Sequence, residues 1–241
     1  MPDARSHRGA HSEDAELFSK AAVPNLCHAV DDLRWLFDRG YALISAVKLV
    51  GDRYALTARQ RTAVTRATCI SSAQQARRAK ELSVADLTGH TVWIDGYNLL
   101  TTIEAALAGG VILHCQDGCY RDMASMHGTW KRVEETQPAL ELVGRSLQGW
   151  QLKNCHWLLD SPVSNSGRLK GLIEDIAISQ GWSWTVELVA DPDRILCATS
   201  EIVITADSMI LDKCQVWTNA ARAIVSTEVP DAWRVDLKSS Y

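Results

Sequence analysis

From residue 91 onward, short apolar runs alternate with amphipathic stretches, and the two periods can be told apart. Runs at 91–95, 111–115, 155–160, 183–189, 201–205 and 215–217 read as strands, bounded by turn-forming residues. Between them, the patterns near 98–108, 136–148, 166–180, 193–198, the segment after Asp207 and 219–226 read as helices. Such βα alternation predicts an α/β fold, with a mainly parallel sheet covered by helices on both faces.

Upstream the pattern is helical throughout. Leu33, Leu36 and Phe37 follow i, i+3, i+4 spacing, with Gly40 as the stop. A second helix is predicted over Ala42–Val50. Thr57 with Gln60 reads as a capping box opening a third helix through Ala67, and Ser72 with Gln75 repeats the signal for Ala73–Glu81. Helices this short need packing partners. The predicted organisation is a polar, disordered tail over 1–13, a small all-helical segment over 14–88, and an α/β domain over 89–241.

Charge sharpens that division. Residues 1–90 carry 13 Lys and Arg against 10 Asp and Glu, whereas residues 91–241 carry 12 against 19. Arg53 to Lys80 holds seven basic residues and no acidic one. A basic segment beside an acidic domain suits an anionic polymer held near a metal, although on charge alone a solvated helix face is the favoured reading. No apolar run reaches the length of a membrane span and the N-terminus is too polar for a signal peptide, so a cytoplasmic protein with no membrane partner is expected. The seven cysteines are odd in number and scattered, which argues against a disulfide framework. Cys115 and Cys119 lack the second paired motif of a zinc site.

Three apolar runs end on aspartate: VWIDGYNLL (92–100), HWLLDSP (156–162) and EIVITADSMILD (201–212). Ligands of open α/β sheets bind beyond the carboxyl ends of the strands. Asp95, Asp160 and Asp207 on one sheet edge would repel one another, and a divalent cation is the simplest relief. Taken singly, each is also a helix cap or turn residue. Ser164 or Ser166 is available to cap the helix after Asp160, and Thr205 to orient a carboxylate. Asp117 and Asp122, flanking Arg121, and Asp212 beyond Asp207 are further candidate ligands. Trp130, beside Lys131 and Arg132, is expected to pack in the core, with base stacking as the alternative. No nucleotide-binding glycine motif or nucleophile elbow is present.

DGYNLL after a strand, LLD some sixty residues on and ITAD after a later strand resemble the PIN-like nucleases, nearest to their NYN branch, over roughly residues 91–227. The basic segment, with GDRYALTARQR, resembles the N-terminal part of an uncharacterised prokaryotic family in which such a segment precedes a PIN-like domain. The resemblance implies metal-dependent endonucleolytic cleavage of RNA. Asp95 matches the first-strand metal ligand, Asn98 the polar residue that supports it, Asp160 the middle acid and Asp207 the late one. The family also places an acid on an intervening helix, for which Asp117 or Asp122 is the candidate.

On this reading Mg²⁺ or Mn²⁺ sits among Asp95, Asp117, Asp122, Asp160, Asp207 and Asp212. Asn98, Arg121, Arg59 and Arg61 meet the RNA. The alternative is a non-catalytic RNA-binding or adaptor protein on the same fold. A phosphatase of the DxDx[TV] type is disfavoured because Gly96-Tyr97 follows Asp95. Self-association stays open.

Overall fold

A computed structural model describes residues 7–124 and 128–238. The chain begins with helices α1 (Asp14–Leu17), α2 (Val23–Phe37), α3 (Leu43–Arg53), α4 (Ala58–Ala67) and α5 (Ser71–Ala79). A single 3₁₀ turn at Val84–Asp86 leads into β1 (Thr91–Asp95) and α6 (Gly96–Leu107). Then follow β2 (Ile112–His114), β3 (Tyr120–Asp122), α7 (Thr136–Gly149), β4 (Asn154–Asp160), α8 (Ser166–Gln180) and β5 (Trp184–Val189). The chain closes with α9 (Pro192–Ala198), β6 (Ile202–Ile204), α10 (Ser208–Lys213), β7 (Trp217–Thr218), α11 (Ala220–Glu228) and β8 (Arg234–Asp236).

The main sheet is all-parallel, in the order β5-β4-β1-β6-β7. Its central strands are buried on both faces, as expected of a parallel sheet between helices, while the edge strand β5 leaves Thr185 and Glu187 exposed. Val92 and Ile94 of β1 and Ile202 and Ile204 of β6 pack with residues of α6, α7, α8 and α11. On the other face, Val203, Leu158 and Trp217 pack with Leu196 of α9 and with Ile210 and Leu211 of α10. The expected α/β architecture with helices on both faces is the observed one. β1 lies between β4 and β6, so the aspartate-bearing strands are neighbours and their carboxyl ends share one edge.

One strand assignment changes. The run at 111–115 does not join the main sheet. It forms β2 of a separate three-stranded sheet, β3-β2-β8, antiparallel to β3 and parallel to β8. This small sheet backs the helical segment. Leu26, Val30 and Leu33 of α2, Ala46 and Val50 of α3 and Val64 of α4 share one core with Leu113, Val235 and Leu237. The N-terminal helices are thus built onto the α/β unit through a common core.

The expected disordered tail lies outside the described residues at positions 1–6. Residues 7–13 are tied down: Arg8 pairs with the fully buried Glu104 of α6, and His7 contacts Glu135. The capping box at Thr57 and Gln60 is present, each donating a backbone N–H to the other's side chain. The box expected at Ser72 and Gln75 is not. α5 starts two residues earlier, because Asp38 accepts from both the Ser71 backbone N–H and the Ser71 hydroxyl and so caps the helix from the end of α2. Neither Ser164 nor Ser166 caps α8, whose N-terminus follows a left-handed Asn165. Among the described residues no helix is long and apolar enough to cross a membrane.

Candidate active site

The strand register decides how the three aspartates meet. Asp95, the last residue of β1, is level with Leu158 of β4, so Asp160 lies two residues farther along its strand, about 6–7 Å. On the other side Ile94 is level with Ile204, which brings Thr205 beside Asp95. Thr205 Oγ1 donates to Asp95 Oδ2 at 2.8 Å and accepts from the Asp207 backbone N–H at 3.0 Å. Asp207 then turns the chain into α10, its Oδ1 accepting from the N–H groups of Met209 and Ile210 at 2.8 and 3.2 Å. Asp95 caps α6 in the same manner through the Asn98 N–H, at 3.4 Å. Capping and site formation therefore coincide in these residues.

Asn98 locks the arrangement by accepting the Ala206 backbone N–H at 2.8 Å, which ties the turn after β6 to α6. Gly96 allows the strand-to-helix turn to press against β4. A Cβ there would lie 2.9 Å from the Leu158 carbonyl oxygen and 2.6 Å from a Leu159 methyl. The DGYN sequence thus has a physical reading: a capping acid, a glycine demanded by close approach, a buried tyrosine and a bracing asparagine.

Asp95 and Asp207 line an open cavity of about 400 Å³ at this edge, together with Asp193, Asp122 and Arg66. Asp193, in the first turn of α9, was not anticipated. Its signal is Asp191-Pro192-Asp193 directly after β5: Asp191 caps the helix through the Arg194 N–H at 3.0 Å, and the proline occupies the first helical position. That motif marks a helix opening at the functional edge, where a second acid points to more than a cap.

The electrostatics join these acids into a chain. Burial pushes the Asp95 carboxyl up to about 7, and Asp207 and Asp193 add to the rise against the hydrogen bonds from Thr205 and Asn98. Asp193 is raised by burial, then by Asp207, Asp160 and Asp191. Asp160 is raised by burial and by Asp191. Asp160 does not line the cavity, but Asp193 links it electrically to Asp95 and Asp207. Tyr97 also lines the cavity. It is buried, and its phenolic oxygen has no hydrogen-bond partner among the described residues.

The other proposed ligands have different surroundings. Asp117 is almost wholly buried between two guanidinium groups, Arg77 at 2.5 Å and Arg121 at 2.6 Å. Burial alone would push its carboxyl up, but Arg121 and Arg77 hold it at about 2. Asp212 pairs with Arg77 at 2.7 Å. Neither lines the cavity. Asp122 does line it, and its carboxylate accepts from the Thr102 hydroxyl at 3.0 Å and the Ala124 N–H at 2.8 Å.

The basic candidates are also committed. Arg121 lines the cavity, yet its guanidinium donates to Asp117, to the Ala206 and Arg66 carbonyls and to the Ser208 hydroxyl. Arg59 pairs with Asp14, and Arg61 pairs with Asp52 at 2.8 Å. None of these three arginines is placed to meet a polymer backbone without first releasing a partner. Trp130 is 3% exposed and belongs to the main core, so the expected packing is the observed one. The cysteines are free thiols.

A hard divalent cation fits the donor chemistry of Asp95, Asp193 and Asp207, since Asp207 adds to the rise of the other two carboxyls and Asp193 adds to that of Asp95. Among the described residues no group of three His, Cys, Asp or Glu side chains stands ready to hold a metal ion. Mg²⁺ commonly binds through one or two carboxylates, with water and substrate phosphate completing its shell.

The sequence model of a family described as Domain of unknown function (DUF5616) matches residues 84–223. A second, described as Protein of unknown function (DUF434), matches residues 25–80. An uncharacterized protein of Methanocaldococcus jannaschii, MJ0935, is 31% identical over 183 residues, which span 76% of this chain and 87% of that protein. No solved structure matches the chain.

Proposed function

The chain belongs to the family described as Domain of unknown function (DUF5616), and from the cavity this domain builds we propose a metal-dependent endoribonuclease. One observation carries the reading. Asp95, Asp193 and Asp207 line one open cavity at the carboxyl edge of a parallel sheet, to which the basic N-terminal segment contributes Thr65 and Arg66. The likeness of DGYNLL, LLD and ITAD to PIN-like nucleases supports it from the sequence side.

In this reading Asp95, Asp207 and Asp193 are the residues that would hold Mg²⁺ or Mn²⁺, with substrate phosphate and water completing the shell, and the ion would supply Lewis acidity for phosphodiester hydrolysis. The protein's own groups set the geometry. Thr205 fixes the Asp95 carboxylate, Asn98 fixes the turn that carries Asp207, and the α9 helix presents Asp193. Burial, with a smaller contribution from Asp207 and Asp193, leaves Asp95 half protonated near pH 7. As a ligand Asp95 would have to be ionised, so cation binding would be coupled to loss of that proton.

The test is cleavage of end-labelled RNA with Mn²⁺ by wild type, Asp95→Asn and Asp193→Asn. Wild-type cleavage that EDTA abolishes and both variants lose is expected. Equal cleavage by all three proteins would overturn the proposal. The non-catalytic alternative draws on the absence of a ready three-ligand group among the described residues. It predicts RNA binding without cleavage, unchanged by Asp95→Asn and independent of divalent cation.

A further inference from the structure

Three arginines line the cavity, and only one lacks a carboxylate among the described residues. Arg8 is paired with Glu104, and Arg121 with Asp117. Arg66, in the last turn of α4, instead donates from Nη1 to two backbone carbonyls, Asp122 at 2.7 Å and Ala124 at 3.3 Å. None of the described residues accepts a hydrogen bond from its Nε or Nη2. Those carbonyls orient the guanidinium, and no carboxylate among the described residues pairs with it. Thr65, Thr101 and Thr102 contribute hydroxyl-bearing side chains to the same cavity.

We propose that Arg66 is a phosphate-binding residue, so that the N-terminal helical segment completes the site by holding a backbone phosphate of a single RNA strand across from Asp95, Asp193 and Asp207. The proposal rests on the reading of the cavity as a phosphodiester site. It assigns the role of the basic segment to a particular atom group. Seven basic residues lie between Arg53 and Lys80, but Arg59, Arg61 and Arg77 are held by Asp14, Asp52 and the Asp117–Asp212 pair. Arg66 is the member of that run that lines the cavity. A guanidinium held by carbonyls through one nitrogen still offers an edge with two donors, the geometry that suits phosphate oxygens. The acids and Arg66 arise from different parts of the sequence, so neither segment alone would hold the strand in register.

The experiment separates charge from bracing. Binding of a fluorescein-labelled twelve-nucleotide single-stranded RNA to the full chain is followed by anisotropy in Ca²⁺, over a series of KCl concentrations. The proteins are wild type, Arg66→Gln and Arg66→Lys, with thermal melts confirming that each is folded. One lost phosphate contact on a single strand lowers the slope of log K against log salt by about 0.7. Arg66→Gln is expected to bind about tenfold more weakly at low salt with that reduced slope. Arg66→Lys, which keeps the charge but not the two carbonyl bonds, is expected to retain the wild-type slope. Equal slopes for wild type and Arg66→Gln, equal loss in Gln and Lys variants, or no RNA binding by wild type each overturn the proposal. RNA binding with the expected slopes but no cleavage in Mn²⁺ overturns the nuclease reading alone and leaves the phosphate subsite standing.

Discussion

Thr205 Oγ1 donates to Asp95 Oδ2 at 2.8 Å across the β1–β6 pair, and it also accepts from the Asp207 backbone N–H at 3.0 Å. One hydroxyl therefore sets the spacing of two acids on adjacent strands. Its donated bond favours ionised Asp95 and opposes the burial that pushes the carboxyl up to about 7. Thr205→Val removes that support, and Asp95 then holds its proton to still higher pH. Cleavage by the variant is expected to fall about ten- to a hundredfold at pH 7, in line with a lost hydrogen bond to a charged group, and to recover in part as the pH is raised. An unshifted acidic limb of the pH–rate profile would show that Thr205 does not tune Asp95.

The same carboxyl makes a stability prediction with a definite sign. Its folded value of about 7 lies above the ordinary 3.8, so between those pH values the folded protein keeps a proton that the unfolded chain has lost. Stability from this group is fully present below about pH 4, falls as the pH rises toward 7, and is flat beyond. Asp95→Asn removes the dependence. Asp95 is half-buried, so after discounting for solvent screening the variant gains about 1–2 kcal/mol at pH 8 and almost nothing at pH 4. Melting temperatures at the two pH values check this, and a gain of equal size at both would contradict the assignment.

Arg77 and Asp117 form the buried brace between the helical segment and the functional edge. Arg77 Nη1 meets Asp117 at 2.5 Å and Nε meets Asp212 at 2.7 Å, while Nη2 donates to the Ser208 carbonyl at 3.2 Å, in the first turn of α10. Removing one partner of a buried pair leaves a charge without compensation. Arg77→Met is expected to cost about 3 kcal/mol in denaturant unfolding. Asp212→Asn, at a half-exposed carboxylate, is expected to cost below about 1 kcal/mol. Asp117 has a folded value near 2, below its ordinary range, so its contribution is present above about pH 4 and is lost as the pH falls toward 2. Arg77→Met therefore also moves acid unfolding to higher pH, and equal costs for the two variants would contradict the brace.

Much of this layout was legible from local sequence, and what was missed shares a cause. The capping box at Thr57 and Gln60 and the strand ending at Asp95 depend on neighbours a few residues away, which a sequence displays. β3 and β8 are three residues each and exist only because β2 pairs with both, so no periodicity announces them. The start of α5 was displaced because its cap comes from Asp38, more than thirty residues upstream. The acids divide likewise. Asp95 and Asp207 were identifiable from strand ends, but whether an acid faces the cavity or an arginine is a tertiary matter. Asp117 faces Arg77 and Arg121, and Asp193 faces the cavity.

Asp193 separates a working site from a coincidence of helix caps. It makes no cap of its own, since Asp191 fills that role for α9, and its carboxyl is raised by burial and by Asp207, Asp160 and Asp191. Raised carboxyls of this kind cluster at functional sites, which is the basis for proposing Asp193 as a ligand. Asp193→Asn is expected to reduce Mn²⁺-dependent cleavage at least a hundredfold, a loss of about 2.7 kcal/mol in transition-state stabilisation. Asp160→Asn, at a residue outside the cavity and two positions farther along its strand, is expected to have the milder effect. A thermal-shift titration with Mn²⁺ provides the independent measurement. Wild type should gain stability with added metal, Asp193→Asn should gain less, and Asp160→Asn should follow wild type more closely. If Asp193→Asn responds to Mn²⁺ as wild type does while Asp160→Asn does not, the metal lies toward β4 and the assignment of Asp193 as its ligand fails.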